Sequence, residues 1–161
     1  MLVVAPHGSF RNGFDLLDEA GGPVGSFRAS PWRESGDVRV GDRVWRLHTV
    51  GRRRFVLDGS DGMLASADKP SPWSARWRLT TGDQTYELTK RSWRSRGFEL
   101  RGRGQMLGEV RPRSAFSGKA VADLPAELPP PVQVFVVAVV LALWRREQAS
   151  AAAGTAAATT V

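Results

Sequence analysis

Two clusters of arginine and lysine are the residues whose types and spacing best suit chemistry. One is the segment Lys90-Arg91-Ser92-Trp93-Arg94-Ser95-Arg96, and the other is Arg52-Arg53-Arg54. Guanidinium groups bind phosphate through paired hydrogen bonds, and an adjacent tryptophan suits a lipid head group or a nucleic-acid backbone. We therefore predict anion binding by the first cluster, with the second cluster as a further candidate: Lys90, Arg91, Arg94 and Arg96, then Arg52, Arg53 and Arg54. The plainer interpretation is that both clusters are solvated hairpin turns and that Trp93 packs inward.

The net charge of +7 arises in the middle of the chain. Residues 52–119 carry fifteen lysines and arginines against seven acids, whereas residues 1–51 are neutral and residues 120–161 carry a net charge of −1. Twenty of the 23 basic residues are arginine. This bias toward arginine results either from selection for bidentate anion contacts or from a GC-rich coding sequence. We interpret the strand arginines Arg46, Arg76 and Arg78 as a solvated sheet face.

Other chemistries find little support in the sequence. The absence of cysteine excludes disulfides, thiolate metal sites and cysteine nucleophiles. His48 has no evident serine or carboxylate partner in the linear pattern. The segment Asp58-Gly59-Ser60-Asp61-Gly62 resembles the start of a calcium loop, but Lys69 stands where an EF-hand requires glutamate, so a hairpin turn is the better interpretation. We predict no catalytic residue, no metal site and no cofactor.

A repeat of 41–43 residues organises the β region. It begins with an F-x-L pattern at Phe14, Phe55 and Phe98, and sixteen residues after each phenylalanine comes a serine followed by a small or proline residue and an aromatic one. These segments are Ser30-Pro31-Trp32, Ser71-Pro72-Trp73 and Ser114-Ala115-Phe116. The unit occurs twice in full and begins a third time.

Each unit reads as antiparallel β structure. Arg43-Val44-Trp45-Arg46-Leu47 and Arg76-Trp77-Arg78-Leu79 alternate charged and bulky apolar residues, which indicates half-buried strands. Glycine-containing turn signals divide the chain into about eleven or twelve short strands. A propeller needs at least about four blades, so a closed barrel is favoured over two and a half blades.

The segment VQVFVVAVVLALW, residues 132–144, predicts an apolar helix over about residues 131–147. It follows three prolines, which the first turn of a helix tolerates, and it precedes Arg145 and Arg146, which suit the negative end of a helix dipole. A helix that is apolar all round is enclosed by protein or by lipid. Since a bilayer span needs about 20 apolar residues, we favour the barrel interior, with a tail anchor built on residues 132–144 as the alternative. Residues 149–161 are of low complexity and are predicted to be frayed or disordered.

Turn-rich hairpins followed by LPPPVQVFVVAVVLALWRR resemble the Tubby C-terminal-like superfamily, which includes Tubby-like proteins, phospholipid scramblases and plant LURP-one-related proteins. The resemblance covers residues 1–148 and implies a twelve-stranded closed barrel threaded by a hydrophobic C-terminal helix. It also implies binding of membrane phospholipids, including phosphoinositide head groups, through exposed lysine and arginine. No ligand motif of the family maps onto individual residues here.

These features predict one mainly β domain over residues 1–148, followed by a low-complexity tail over residues 149–161. The expected function is a non-enzymatic binding module for anionic phospholipid head groups or other phosphorylated ligands, with an anionic lipid or membrane surface as partner. The alternatives are a protein-interaction or structural domain without a small ligand, and a tail-anchored membrane protein. Nucleic acid is disfavoured because most aromatic residues fall on inward strand positions. The start, MLVVAPHGSF, lacks a basic n-region, so the expected location is the cytoplasm, peripheral to the membrane. The oligomeric state stays open.

Overall fold

A computed structural model describes residues 1–7, 12–30, 34–114 and 119–158. Trp32, Phe116 and the last three residues of the tail therefore lie outside the described residues. The elements, in chain order, are β1 (Leu2–Pro6), β2 (Gly13–Leu17), β3 (Pro23–Ala29), β4 (Gly36–Val40), β5 (Arg43–Thr49), β6 (Arg54–Gly59), β7 (Gly62–Asp68), β8 (Arg76–Thr81), β9 (Gln84–Lys90), β10 (Phe98–Gly102), β11 (Gln105–Pro112), β12 (Ala120–Asp123) and α1 (Pro130–Ala158).

The twelve strands close into one antiparallel barrel. Each strand pairs with its neighbours along the chain, and β1 pairs with β12, where Val3 lies opposite Val121. Along β5 the side chains of Trp45 and Leu47 are buried while that of Arg46 is exposed, as period-2 alternation requires. The prediction of a closed barrel of about twelve strands is confirmed, and the propeller is excluded.

The sequence repeat corresponds to a unit of four strands. Phe14, Phe55 and Phe98 are all buried, and they lie on β2, β6 and β10, which are four strands apart. The register shifts at the equivalent place in each unit, after Leu16, Leu57 and Leu100. Such bulges bend and twist the strand that carries the extra residue, which helps a sheet to curl. The third unit begins at β10 and has only three strands, β10 to β12. The first strand, β1, takes the place of the fourth by pairing with β12, which closes the barrel.

The apolar half of α1 fills the barrel. Val132 and all residues from Val134 to Leu143 are buried, so every face of the helix meets protein, which explains why the segment is apolar all round. The helix comes nearest to β3, β4 and β7. Inward side chains are small there, at Ala65 and Ala67, and a Cβ added to Gly25 would lie only 2.7 Å from Cγ2 of Val134. The prediction of a buried hydrophobic C-terminal helix is confirmed.

The apolar surroundings of residues 132–143 are thus the barrel wall. Among the residues that the structure describes, no helix is long and apolar enough to cross a membrane.

The helix continues further than the sequence pattern indicates. It runs to Ala158 instead of ending near residue 147, so the prediction of a frayed or disordered tail is wrong for residues 149–158. Alanine has the highest helix propensity, and extending an existing helix avoids the cost of nucleation. Arg145 and Arg146 accordingly lie within the helix and not at its C-terminal end, so the dipole argument for them is wrong. Residues 147–156 are exposed.

The two ends of the barrel differ in their connections. The strand-to-strand connections after even-numbered strands are two to five residues long, and we call this side the turn end; they are residues 18–22, 41–42, 60–61, 82–83 and 103–104. Those after odd-numbered strands are four to seven residues long, and we call this side the loop end; they are residues 7–12, 30–35, 50–53, 69–75, 91–97 and 113–119. The chain passes from β12 to α1 at the turn end, and the helix leaves the barrel at the loop end.

Candidate anion-binding site

The barrel separates charge between its ends. At the loop end, the described residues of the connections include eight cations and one acid, Glu34; the cations are Arg52, Arg53, Lys69, Arg91, Arg94, Arg96, Arg113 and Lys119. At the turn end, counting residues 124–129, the connections carry six acids and one arginine, Arg103; the acids are Asp18, Glu19, Asp42, Asp61, Asp83 and Glu127. A charge distribution of this kind makes the electrostatic potential more positive at the loop end than at the turn end.

Two acids of the turn end have cationic partners: Asp61, whose Oδ2 lies 3.7 Å from Nη2 of Arg43, and Glu19. The N-terminal ammonium donates a hydrogen bond of 2.9 Å to Oε1 of Glu19. This hydrogen bond raises the pKa of the ammonium and lowers the pKa of the Glu19 carboxyl group.

A cleft of about 1320 Å³ opens at the loop end, beside the point where α1 leaves the barrel. We call it the mouth cleft. Its floor includes the buried side chains of Trp77, Phe98 and Leu143. Five cations line it, namely Arg52, Arg53, Lys69, Lys90 and Arg146, together with the two acids Glu34 and Glu147. The cleft therefore has an apolar floor below a cationic rim.

Two of the five cations are neutralised by the two acids. Arg146 donates from Nε and Nη2 to the carboxylate of Glu34, at 2.8 and 2.5 Å, and Nζ of Lys90 lies 2.7 Å from Oε1 of Glu147. Nη1 of Arg146 also donates to the carbonyl oxygen of Arg52 at 2.8 Å, which fixes the β5–β6 connection against the helix.

The other three cations of the mouth cleft keep their charge available. Within the described ranges, no carboxylate lies within ion-pair distance of Arg52, Arg53 or Lys69. The Arg53 carbonyl oxygen accepts a hydrogen bond of 2.8 Å from the Lys69 backbone amide, which holds the two connections side by side. These three side chains are the strongest candidates for binding an anion.

The structure brings only part of the two predicted clusters together. Lys90, Arg52 and Arg53 line the mouth cleft. Arg54 is the first residue of β6, and its Nε lies 3.5 Å from Oδ1 of Asp68 on the outer wall. Its interpretation as a turn residue is therefore wrong.

The remaining predicted residues lie on the β9–β10 connection, at the loop end but outside the cleft lining. Nη1 of Arg91 is 3.8 Å from Oε2 of Glu109, and the guanidinium carbon of Arg94 lies 4.6 Å from the centroid of the Trp93 ring. The carbonyl oxygen of Arg96 accepts a hydrogen bond from Nε1 of Trp144, at 2.5 Å. Trp93 is 82% exposed, so the interpretation that it packs inward is wrong.

Sequence reasoning missed Lys69 and Arg146 as members of the site. Lys69 is isolated in the sequence, between Asp68 and Pro70, and the β6–β7 hairpin, in which Arg54 lies opposite Asp68, places it beside Arg53. Arg146 is 92 residues after Arg54, and no local pattern relates it to the β5–β6 connection. The exposed positions of Arg46, Arg76 and Arg78 confirm their interpretation as a solvated face.

Both histidines have carboxylate neighbours on the outer wall. Nε2 of His7 lies 3.1 Å from Oδ1 of Asp15, and Nδ1 of His48 lies 3.5 Å from Oδ2 of Asp58. Asp58 is thus a carboxylate neighbour of His48 that the linear pattern did not reveal, because the adjacent strands β5 and β6 bring the two residues together. Asp58 to Gly62 spans the β6–β7 hairpin turn, as predicted. In the described part of the chain, no three His, Asp or Glu side chains converge in a way that could hold a metal ion.

Comparisons with protein-family models, curated proteins and solved structures find no match to this chain.

Proposed function

We propose that this protein is a non-enzymatic binding module for the phosphate groups of anionic phospholipids or other phosphorylated ligands. One observation carries the proposal: eight cations and one acid occupy the described connections of the loop end, while acids dominate the opposite end. Arginine and lysine side chains that lack carboxylate partners bind phosphate oxygens through charge-assisted hydrogen bonds. Arg52, Arg53 and Lys69 have this character, and they face one cleft.

The floor of the mouth cleft favours an amphiphilic phosphate over a small inorganic anion. Trp77, Phe98 and Leu143 offer apolar surface directly below the cationic rim. Ligand sites typically combine mostly apolar walls with a few polar groups that fix orientation. A phospholipid has the matching division between an anionic head and an apolar body.

We also propose that the chain is a member of the Tubby C-terminal-like superfamily and acts in the cytoplasm at a membrane surface. Twelve antiparallel strands around an enclosed apolar helix agree with the fold that this resemblance implies. Fold alone does not determine function, so the ligand class rests on the loop-end cations and not on the barrel.

Replacing the three cleft cations tests the proposal directly. The variant Arg52→Ser/Arg53→Ser/Lys69→Ser should lower affinity for phosphatidylserine-containing vesicles about 100-fold, because each cation near an anionic membrane contributes about 1 kcal/mol. The matched control, Arg46→Ser/Arg76→Ser/Arg78→Ser, removes the same charge from the outer wall and should retain most of the affinity. Vesicle co-sedimentation measures binding, and thermal melts confirm that both variants are folded.

Equal losses in the two variants would show that net charge alone drives binding. Absence of binding to both vesicles and soluble inositol hexakisphosphate would overturn the proposal and favour a protein-interaction or structural role.

A further inference from the structure

We propose that the loop end is a membrane-docking surface on which Trp73 and Trp93 insert into the interface of an anionic bilayer. The inference rests on the proposed function and deepens it, because it names a lipid bilayer as the source of the phosphate groups. Its basis is a set of exposed aromatic residues that the cation site does not use.

Trp73 and Trp93 are 94% and 82% exposed, an unusual state for the largest apolar side chain. By contrast, Trp45 and Trp77 are buried in the core. The two exposed tryptophans lie on the β7–β8 and β9–β10 connections, and Val50, on the β5–β6 connection, is 56% exposed. Three loop-end connections therefore carry an apolar residue directed into solvent.

The sequence repeat contains an aromatic residue at the equivalent position of the other two units. In the sequence, the equivalents of Trp73 in the other two units are Trp32 and Phe116, on the β3–β4 and β11–β12 connections, and both lie outside the described residues. Each of the three units thus has one aromatic residue at this place in the sequence. Recurrence of an aromatic residue at the same place in each sequence repeat indicates a shared role for this position.

Cations accompany the exposed tryptophans. The Arg94 guanidinium lies over the Trp93 ring, and Arg91 and Arg96 are on the same connection. Tryptophan prefers the boundary between water and hydrocarbon, where its ring is partly buried and its N–H stays hydrated. Nearby arginine and lysine attract anionic lipid, and their long side chains reach the head groups while the aromatic rings insert.

The arrangement of the exposed apolar residues fits the flat surface of a bilayer better than a single strand of nucleic acid. The apolar residues belong to separate connections around one end of a closed barrel, and the far end is acidic. A bilayer can contact these connections while the acidic end points away from it, and the exposed end of α1, which projects from the loop end and has no charged side chain after Glu147, then enters the bilayer with them. Single-stranded nucleic acid also stacks on tryptophan, but it typically follows a groove, so we argue for the bilayer and include nucleic acid in the test.

The test compares two double variants of the full chain. Trp73→Ser/Trp93→Ser removes the proposed anchors, and Val44→Ser/Met106→Ser removes exposed apolar residues near the turn end. Because all four side chains are exposed, thermal melts should match the wild type. We expect the tryptophan variant to bind phosphatidylserine vesicles at least about tenfold more weakly, through lost apolar burial, while the control is unchanged. Binding of soluble inositol hexakisphosphate should be the same in all three proteins.

The outcomes separate this inference from the proposed function. Wild-type vesicle affinity in the tryptophan variant, or a wild type that binds the soluble phosphate but not vesicles, would overturn membrane docking and leave anion binding intact. Both the proposed function and membrane docking are supported if the tryptophan variant loses only vesicle binding, while Arg52→Ser/Arg53→Ser/Lys69→Ser loses binding to vesicles and to the soluble phosphate. Tighter binding of single-stranded DNA than of vesicles, lost in the tryptophan variant, would assign the surface to nucleic acid instead. Quenching of wild-type fluorescence by bromine-labelled lipid, reduced in the tryptophan variant, would confirm insertion.

Discussion

At the residue scale, Arg146 joins three parts of the loop end. Its guanidinium contacts the Glu34 carboxylate on the β3–β4 connection and the Arg52 carbonyl oxygen on the β5–β6 connection, and it lies 4.9 Å from the ring centroid of Phe55. The planar fork of arginine allows these contacts simultaneously, which lysine cannot reproduce. Glu34 therefore has two effects: it stabilises the helix exit, and it neutralises one cation of the mouth cleft.

Glu34→Gln should separate these two effects. We expect the free energy of unfolding to fall by about 1 kcal/mol, since one charge-assisted contact is weakened. We expect affinity for anionic vesicles to rise about fivefold, because Arg146 regains its charge within the cleft. Urea unfolding and vesicle co-sedimentation measure the two quantities.

The matched control is Asp37→Asn, which frees Arg46 on the outer wall, where the two groups are 3.1 Å apart. It makes the same change in net charge and should leave vesicle affinity nearly constant. A fall in affinity in Glu34→Gln would show that Arg146 does not act in anion binding.

At the element scale, α1 has two environments along its length. The first half replaces the side-chain layers that would otherwise fill a twelve-stranded barrel, whereas residues 147–156 are exposed and make the helix project from the loop end. One helix thus supplies both the core and, through Arg146 and Glu147, part of the cleft lining. The position of the cleft consequently depends on the depth at which the helix sits in the barrel.

Val137→Asp should prevent folding, because Val137 is fully buried and an unpaired carboxylate there costs several kcal/mol out of a total stability of about 5–15 kcal/mol. The control Ala152→Asp places the same residue on the exposed half of the same helix and should melt like the wild type. Far-ultraviolet circular dichroism and solubility distinguish the two variants. A cooperative melt at the wild-type temperature in Val137→Asp would contradict a tightly enclosed helix.

At the scale of the whole molecule, positive and negative charge lie at opposite ends of the barrel. Connections that follow odd-numbered strands lie at one end and are basic, whereas connections that follow even-numbered strands lie at the other end and are acidic. The ends are roughly 15–20 Å apart along the barrel axis, for tilted strands of about seven residues. This distance exceeds the Debye length of about 8 Å at physiological ionic strength.

The variant Asp42→Asn/Asp61→Asn/Asp83→Asn tests this separation. It makes the net charge more positive at the turn end, yet vesicle affinity should change less than about twofold at physiological salt, because screening isolates the far end. At low salt the affinity should rise, since the screening length then spans the molecule. A large increase at physiological salt would show that the protein does not bind with its loop end toward the membrane.

The sequence by itself predicted antiparallel β structure of about eleven or twelve strands, favoured a closed barrel, and required an enclosed environment for the apolar helix. Alternation along β5 and glycine-containing turns are local signals, and a segment apolar on every face requires apolar surroundings whatever the topology. The F-x-L repeat likewise marks equivalent strands without reference to any contact between them. Alternation, turns and the apolar segment depend on residues only a few positions apart, and the repeat is visible in the sequence although its copies are 41–43 residues apart.

Only the tertiary structure decided which cations lie together. Pairing of β6 with β7 places Lys69 beside Arg53, and the enclosed helix carries Arg146 to Arg52 across 94 residues of sequence. Arg54, the residue after Arg53, instead pairs with Asp68, because strand alternation directs it to the outer wall. The exposure of Trp73 also depends on where its connection ends in space, since the same residue type is buried at Trp77 four positions later. The contact of Arg146 with the β5–β6 connection depends on the position of the helix inside the closed barrel, and sequence spacing carries no signal of it.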